Sequence, residues 1–287
     1  NDLGRRVQPA DDRSEVGQLG LALNTMLAEL ESAFAERARN EQRLRHFISD
    51  ASHELRTPLT SVQGYAELLQ RQSEMEPRDV LLATRRIEDE TKRMSVLVDD
   101  LLLLARLDQG RPLERQQVDL EALISDAAAD ARVSAPERQV TARIAAPLVV
   151  PGDEPRLRQV LSNLVRNALV HTPPKSPVEL VLRPFDEHAL MEVVDHGRGV
   201  PPEQRARIFE RFHRSDPELS ADRGGSGLGL SIVDAVVRAH GGTVTVLDTV
   251  GGGATFHVEL PLHQPESPPP GGANGSESPP PPPAAGP

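Results

Sequence analysis

Residues 47–69 read "FISDASHELRTPLTSVQGYAELL", and the face on which His53 falls decides how the surrounding chain is read. Ala51 and Leu55 lie four residues apart, on one face of a helix, and continue an apolar rhythm that includes Leu44 and Phe47 or Ile48. His53 sits two positions from each, a rotation of about 200°, so its ring is turned away from the buried stripe. An imidazole there is either an ordinary surface histidine or a reactive one. Glu54 favours the second reading, because a neighbouring carboxylate can hold the proton of one ring nitrogen while the other attacks near neutral pH. Pro58 removes a helix hydrogen bond one turn later and predicts a local weakness that permits bending. Zinc chemistry is rejected, since Thr57 stands where HExxH requires its second histidine.

Upstream, Leu19, Leu23, Met26, Leu30 and Ala33 alternate spacings of four and three, the rhythm of a helix that packs against another. Downstream, Ile87, Met94, Leu97, Leu101 and Leu104 mark a second amphipathic helix, with "RQSEMEP" at 71–77 as the turn between them. Two antiparallel helices leave too much apolar stripe uncovered in a monomer, whereas two such hairpins complete a four-helix bundle. Residues 36–110 are therefore predicted to be half of an all-α, homodimeric bundle.

After a linker, "ARLDQGRPLERQQ", the pattern changes. Short strands are predicted at 140–144, 178–182, 190–194, 243–247 and 255–260, among helices at 120–132, 154–170 and 230–240. Their irregular alternation predicts an α+β sandwich over 111–263 and not a βαβ-wound sheet. Residues 264–287 combine proline and glycine with almost no apolar side chains, and are predicted to be a disordered tail, with a polyproline docking ligand as the alternative.

Composition narrows the function. Only seven residues are Phe, Tyr or Trp and the formal charge is −11, which disfavours both an aromatic stacking surface and a phosphate-backbone binder while leaving room for local basic spots. There is no cysteine, which excludes disulfides and thiolate metal sites. No apolar run reaches the roughly 18 residues that a membrane span needs. The chain opens "NDLGRRVQP" without an initiator Met, and is expected to be a fragment.

Three segments of the second half could hold a phosphorylated ligand. In "DEPRLRQVLSNLVRNALVHTP", Asn163 and Asn167 share one helix face. "VVDHGRGVP" places Asp195 before Gly197 and Gly199 at the end of a strand. "GGSGLGLSIV" sets Gly225, Gly227 and Gly229 ahead of a helix beginning near Leu230, where backbone N–H groups and a helix N-terminus favour phosphate. The run is neither GxGxxG nor a P-loop, because Leu230 takes the sixth place and no GK[ST] follows.

The stretch around His53 resembles the phospho-acceptor box of bacterial two-component sensor histidine kinases, and the later segments resemble that family's nucleotide boxes in the expected order, over about 36–262. The resemblance implies an ATP-binding domain of the gyrase, chaperone and histidine-kinase type. His53 would be phosphorylated, Glu54 its acid–base partner, and Thr57 the residue that positions water when the phosphorylated partner is dephosphorylated. Asn167 would bind Mg²⁺, with Asn163 nearby, and Asp195 would accept a hydrogen bond from the adenine amino group. In "RIFERFHRSD", Phe209 and Phe212 would anchor a mobile lid over 199–226, with Arg214 contacting phosphate. Val170 and His213 depart from the family's usual Lys or Arg and Tyr, and predict altered nucleotide affinity.

Residues 1–35 resemble the C-terminal part of a HAMP signal-relay linker, which implies a transmembrane sensor upstream and a place on the cytoplasmic face of the membrane. The partner implied is a response regulator that receives the phosphoryl group on an aspartate. Two alternatives stand beside this reading, a degenerate kinase serving as a dimeric scaffold and a related ATPase.

Overall fold

The computed structural model describes residues 15–70, 76–110, 113–213 and 226–262. The chain divides into two compact units, one of residues 1–111 with 201–235, the other of 112–200 with 236–287.

The first unit is built on α1 (Glu15–Gln70) and α2 (Pro77–Asp108), which pack on each other. The expected apolar stripe of α2 faces inward, with Leu97 and Leu104 buried and Ile87, Met94 and Leu101 half-buried. Proline at the start of α2 suits a position whose N–H has no helical partner. The helix therefore begins inside the stretch read as a turn, whose residues 71–75 lie outside the described residues. In the single chain Leu19, Leu23, Met26 and Leu30 stay exposed, and so do Ile48, Leu59, Leu81 and Leu102. Solvated aliphatic surface on this scale is what a second copy would cover.

α1 runs through Pro58 as one helix. Thr60 Oγ1 donates to the Arg56 carbonyl at 2.9 Å, and the Thr57 hydroxyl approaches the His53 carbonyl at 3.5 Å, the back-bonds that threonines make to the carbonyl four residues earlier in a helix.

In the second unit, β1 (Gln116–Asp119) pairs antiparallel with β3 (Val149–Gly152) as a small separate sheet. The main sheet comprises β2 (Val140–Ile144), β4 (Val178–Phe185), β5 (His188–Asp195), β6 (Thr243–Asp248) and β7 (Ala254–Pro261) in the order β2-β4-β5-β7-β6. Only β2 and β4 pair in parallel, which gives the mixed sheet of an α+β fold. β2 coincides with its predicted range, and the other four strands outrun theirs by one to three residues at their ends. The linker reading was too long, because Ala105–Asp108 finish α2 and Gln116 and Gln117 open β1.

Alternation sets the layers. Val178, Leu180 and Leu182 of β4 and Phe256, Val258 and Leu260 of β7 point inward, where α3 (Leu120–Ser134) and α4 (Glu154–His171) cover the sheet. The opposite face is polar: Glu192 and His257 meet across β5 and β7 at 3.1 Å, and Glu259 reaches the other ring nitrogen at 3.2 Å. Asp119 and Asp153 cap α3 and α4 by accepting from the first-turn backbone N–H groups. The last helix, α5 (Gly229–Ala239), starts one residue before Leu230, and its Ile232, Val233, Val236 and Val237 are fully buried.

Candidate functional site

The residues singled out in the sequence fall on both units. In the first, His53 and Thr57 are exposed one turn apart on α1, with Glu54 half-buried between them. The outward placement expected for the imidazole is what the helix gives.

The same unit holds the predicted lid segment. A 3-10 turn (Arg207–Phe209) buries Ile208, so Ile208 is the deepest anchor there while Phe209 and Phe212 are half-buried. Phe212 has φ of 59° and donates its N–H to the Gly227 carbonyl at 3.0 Å. Gly227 itself has φ of 70°, and a Cβ there would lie 2.8 Å from Phe212 Cα, so both the turn and the close approach require glycine. Arg211 makes a two-pronged contact with Asp108 at 2.6 and 2.8 Å and lies over the Phe47 ring at 5.1 Å. Phe47 and Phe212 rings are 6.5 Å apart. Arg214 and Gly225 lie outside the described residues.

In the second unit α4 turns Leu157, Leu161 and Leu164 into the core and leaves Asn163 and Asn167 half-buried on another face. Asn163 Nδ2 is buried without a hydrogen-bond partner among the described residues. A buried orphan donor is costly in a folded protein and points to a ligand or ordered water that completes it. Asp195 ends β5, only 6% exposed. Its Oδ1 accepts from Gly197 N–H at 2.9 Å and Ala254 N–H at 3.1 Å, which leaves Oδ2 to accept from a ligand. Gly253 belongs to this construction, though the sequence reading passed over it. Its φ is 118° and a Cβ there would overlap the Asp195 carbonyl, so only glycine fits, and the run Gly251–Gly253 was the available signal.

His240, also missed, holds the other end of α4. Its Nε2 accepts from the Asp153 N–H at 3.0 Å, so the ring proton sits on Nδ1, which donates to Val236 O at 2.8 Å. Burial pushes this imidazole down from its ordinary value, opposed by the Val236 hydrogen bond and by Asp153, with Arg115 adding to the depression. The folded protein thus keeps His240 neutral, whereas the unfolded chain takes up a proton below about pH 6.5. Its contribution to stability is complete above that value and is lost as the pH falls through it toward the lower folded value. Urea titrations from pH 7.5 to 5.5 should show unfolding free energy falling by up to about 1.4 kcal/mol per pH unit from this group, a slope that His240→Gln reduces.

Two family models match the chain. Residues 43–110 match the His Kinase A (phospho-acceptor) domain, and 152–264 match the Histidine kinase-, DNA gyrase B-, and HSP90-like ATPase family. "Probable sensor histidine kinase TcrY" of Mycobacterium tuberculosis is 48% identical over 254 residues, covering 88% of this chain and 53% of that protein. The chain belongs to the sensor histidine kinases. Sensor histidine kinase TrcS of the same organism is 42% identical over 270 residues, covering 91% of the chain and 53% of the relative. This histidine kinase chain therefore spans about half the length of both. Full-length ShkA in complex with AMPPNP shares 33% identity with a TM-score of 0.55, over 77% of this chain and 45% of that one. No helix among the described residues is long and apolar enough to cross a membrane.

Proposed function

We propose that this chain is the cytoplasmic part of a homodimeric sensor kinase that moves the γ-phosphoryl group of ATP to His53 and then to an aspartate of a response regulator. The observation that supports it most is the exposed imidazole of His53 inside the matched phospho-acceptor segment, on a chain that also holds the ATPase-family segment. In the first step a bond forms between His53 and the γ-phosphorus, the bond to the β–γ bridging oxygen breaks, and ADP leaves. Glu54 steadies the proton on the other ring nitrogen.

Asp195 Oδ2 would accept from the adenine amino group, and Asn163 Nδ2 would find its partner on the nucleotide. Gly225, Gly227, Gly229 and the α5 N-terminus at Leu230 would receive phosphate, with Phe209, Phe212 and Arg214 in the lid. Magnesium, held by Asn167, would neutralise phosphate charge. An amide at 163 cannot take a proton from water as a carboxylate can, which favours transfer to His53 over hydrolysis and argues against the simple ATPase reading.

The proposed organisation is a partial HAMP relay over 1–35, the dimerisation and phosphotransfer hairpin over 36–110, the catalytic domain over 111–263 and a proline-rich tail over 264–287. An upstream anchor would place the chain at the cytoplasmic face of the membrane, a reading supported by the HAMP resemblance and the greater length of the relatives. Incubation with γ-labelled ATP and Mg²⁺ tests the reaction: phosphohistidine gives a label lost in acid and kept in base. An acid-stable label would overturn the proposal.

Thr57 has a separate role in this scheme. Its hydroxyl lies on His53's exposed face, about 40° away around the helix, and can reach the same docked regulator. Dephosphorylation of the regulator's aspartate needs an aligned water, and autophosphorylation does not. Thr57→Ala should lower phosphatase activity roughly ten- to a hundredfold, about 1.4 to 3 kcal/mol of barrier, while His53 labelling changes little. Equal loss of both activities would point to a helix defect.

A further inference from the structure

The loop between α3 and β2 sends one side chain to the far end of α4. Arg138 Nη2 donates to Leu169 O at 2.7 Å and Thr172 O at 3.0 Å, while its Nη1 donates to Thr172 Oγ1 at 2.5 Å and more weakly to Ala168 O at 3.4 Å. One guanidinium thus gathers carbonyls that a helix C-terminus leaves without intrahelical donors. Thr172 is 4% exposed and its hydroxyl in turn donates to Ala168 O at 2.7 Å, so its rotamer is fixed from two sides.

That rotamer has a consequence across the gap to β5. The Thr172 methyl presses on Gly197 so closely that a Cβ at 197 would lie 2.8 Å from it, and 3.1 Å from Asp195 Oδ1. Gly197 N–H is one of two donors that orient the Asp195 carboxylate. A continuous line of contacts therefore runs from Arg138 through Thr172 and Gly197 to Asp195, within one unit.

We propose that Arg138, acting through Thr172, is a positioning residue for base selection: it sets the angle at which Asp195 presents Oδ2 and so the preference for a purine bearing a 6-amino group. The inference rests on the assignment of Asp195 to adenine. Neither Arg138 nor Thr172 touches the nucleotide in this scheme.

The test compares MgATP with MgITP, whose base has a carbonyl in place of the amino group, using competition binding and the initial rate of His53 labelling on the full chain. Wild type should prefer ATP. Arg138→Met should reduce that preference by about tenfold, mainly by weakening ATP, with a smaller effect on ITP. Arg138→Lys should recover only part of it, because an ammonium cannot reproduce the planar fork. Thr172→Val, which keeps the methyl contact and removes the hydroxyl, should fall between wild type and Arg138→Met and serves if the latter does not fold. Parallel loss of ATP and ITP in these variants would mean a purely structural role and overturn the proposal, as would an unchanged ratio. Asp195→Asn separates the two levels. If it collapses the preference and the Arg138 and Thr172 variants do not, only the positioning role fails; if it leaves the preference intact, the adenine assignment fails and the proposal with it.

Discussion

His53→Gln should abolish transfer of label from γ-labelled ATP while nucleotide affinity stays within about twofold of wild type. Glutamine is polar and of similar reach, and position 53 is exposed on α1, so the hairpin loses no buried contact. What it loses is the nucleophile, since an amide nitrogen has no available lone pair. None of the residues assigned to the nucleotide lies on α1, which predicts the survival of binding. Labelling at wild-type intensity in the variant would place the acceptor elsewhere. Loss of binding together with labelling would mean that the substitution damages the protein at large.

Asn167→Ala should reduce labelling by at least about a hundredfold, close to 3 kcal/mol of barrier, because it removes an amide oxygen assigned to the metal that offsets phosphate charge. Its half-buried position on α4, off the face formed by Leu157, Leu161 and Leu164, predicts little change in stability. Mixing this variant with His53→Gln adds a second reading. One chain then offers an intact acceptor and the other an intact nucleotide site, so restored labelling in mixed dimers shows transfer between chains. No restoration, with mixed dimers verified, shows transfer within a chain.

The helical half of the fold was legible because its signal is long: the stripes from Leu19 to Leu55 and from Ile87 to Leu104 each repeat over several turns. β1 and β3 were not legible. Each has four residues, too few to display alternation, and Pro151 argues against a strand until its edge pairing with Gln117 is seen. The site divides in the same way. His53, Asn163, Asn167 and Asp195 sit in local motifs and could be named from them. Arg138 meets Thr172 across 34 positions, Asp195 meets Ala254 across 59 and His240 meets Asp153 across 87, and no local pattern encodes such contacts. Arg211 reached Asp108 unannounced for the same reason, at a separation of 103.

α1 joins Glu15 to His53 without a break, and its proline comes only after the acceptor. Over those 38 residues the helix extends about 57 Å as a single shaft, with no joint in which torsion could dissipate before it reaches the imidazole. A ring about 6 Å from the axis is carried sideways by about 2 Å when the shaft turns by about 20°. Misplacement of a reacting atom by 1 Å can already cost a hundredfold in rate. With His53 as the proposed acceptor, a slight twist applied near Glu15 would be enough to change the rate of transfer to its ring.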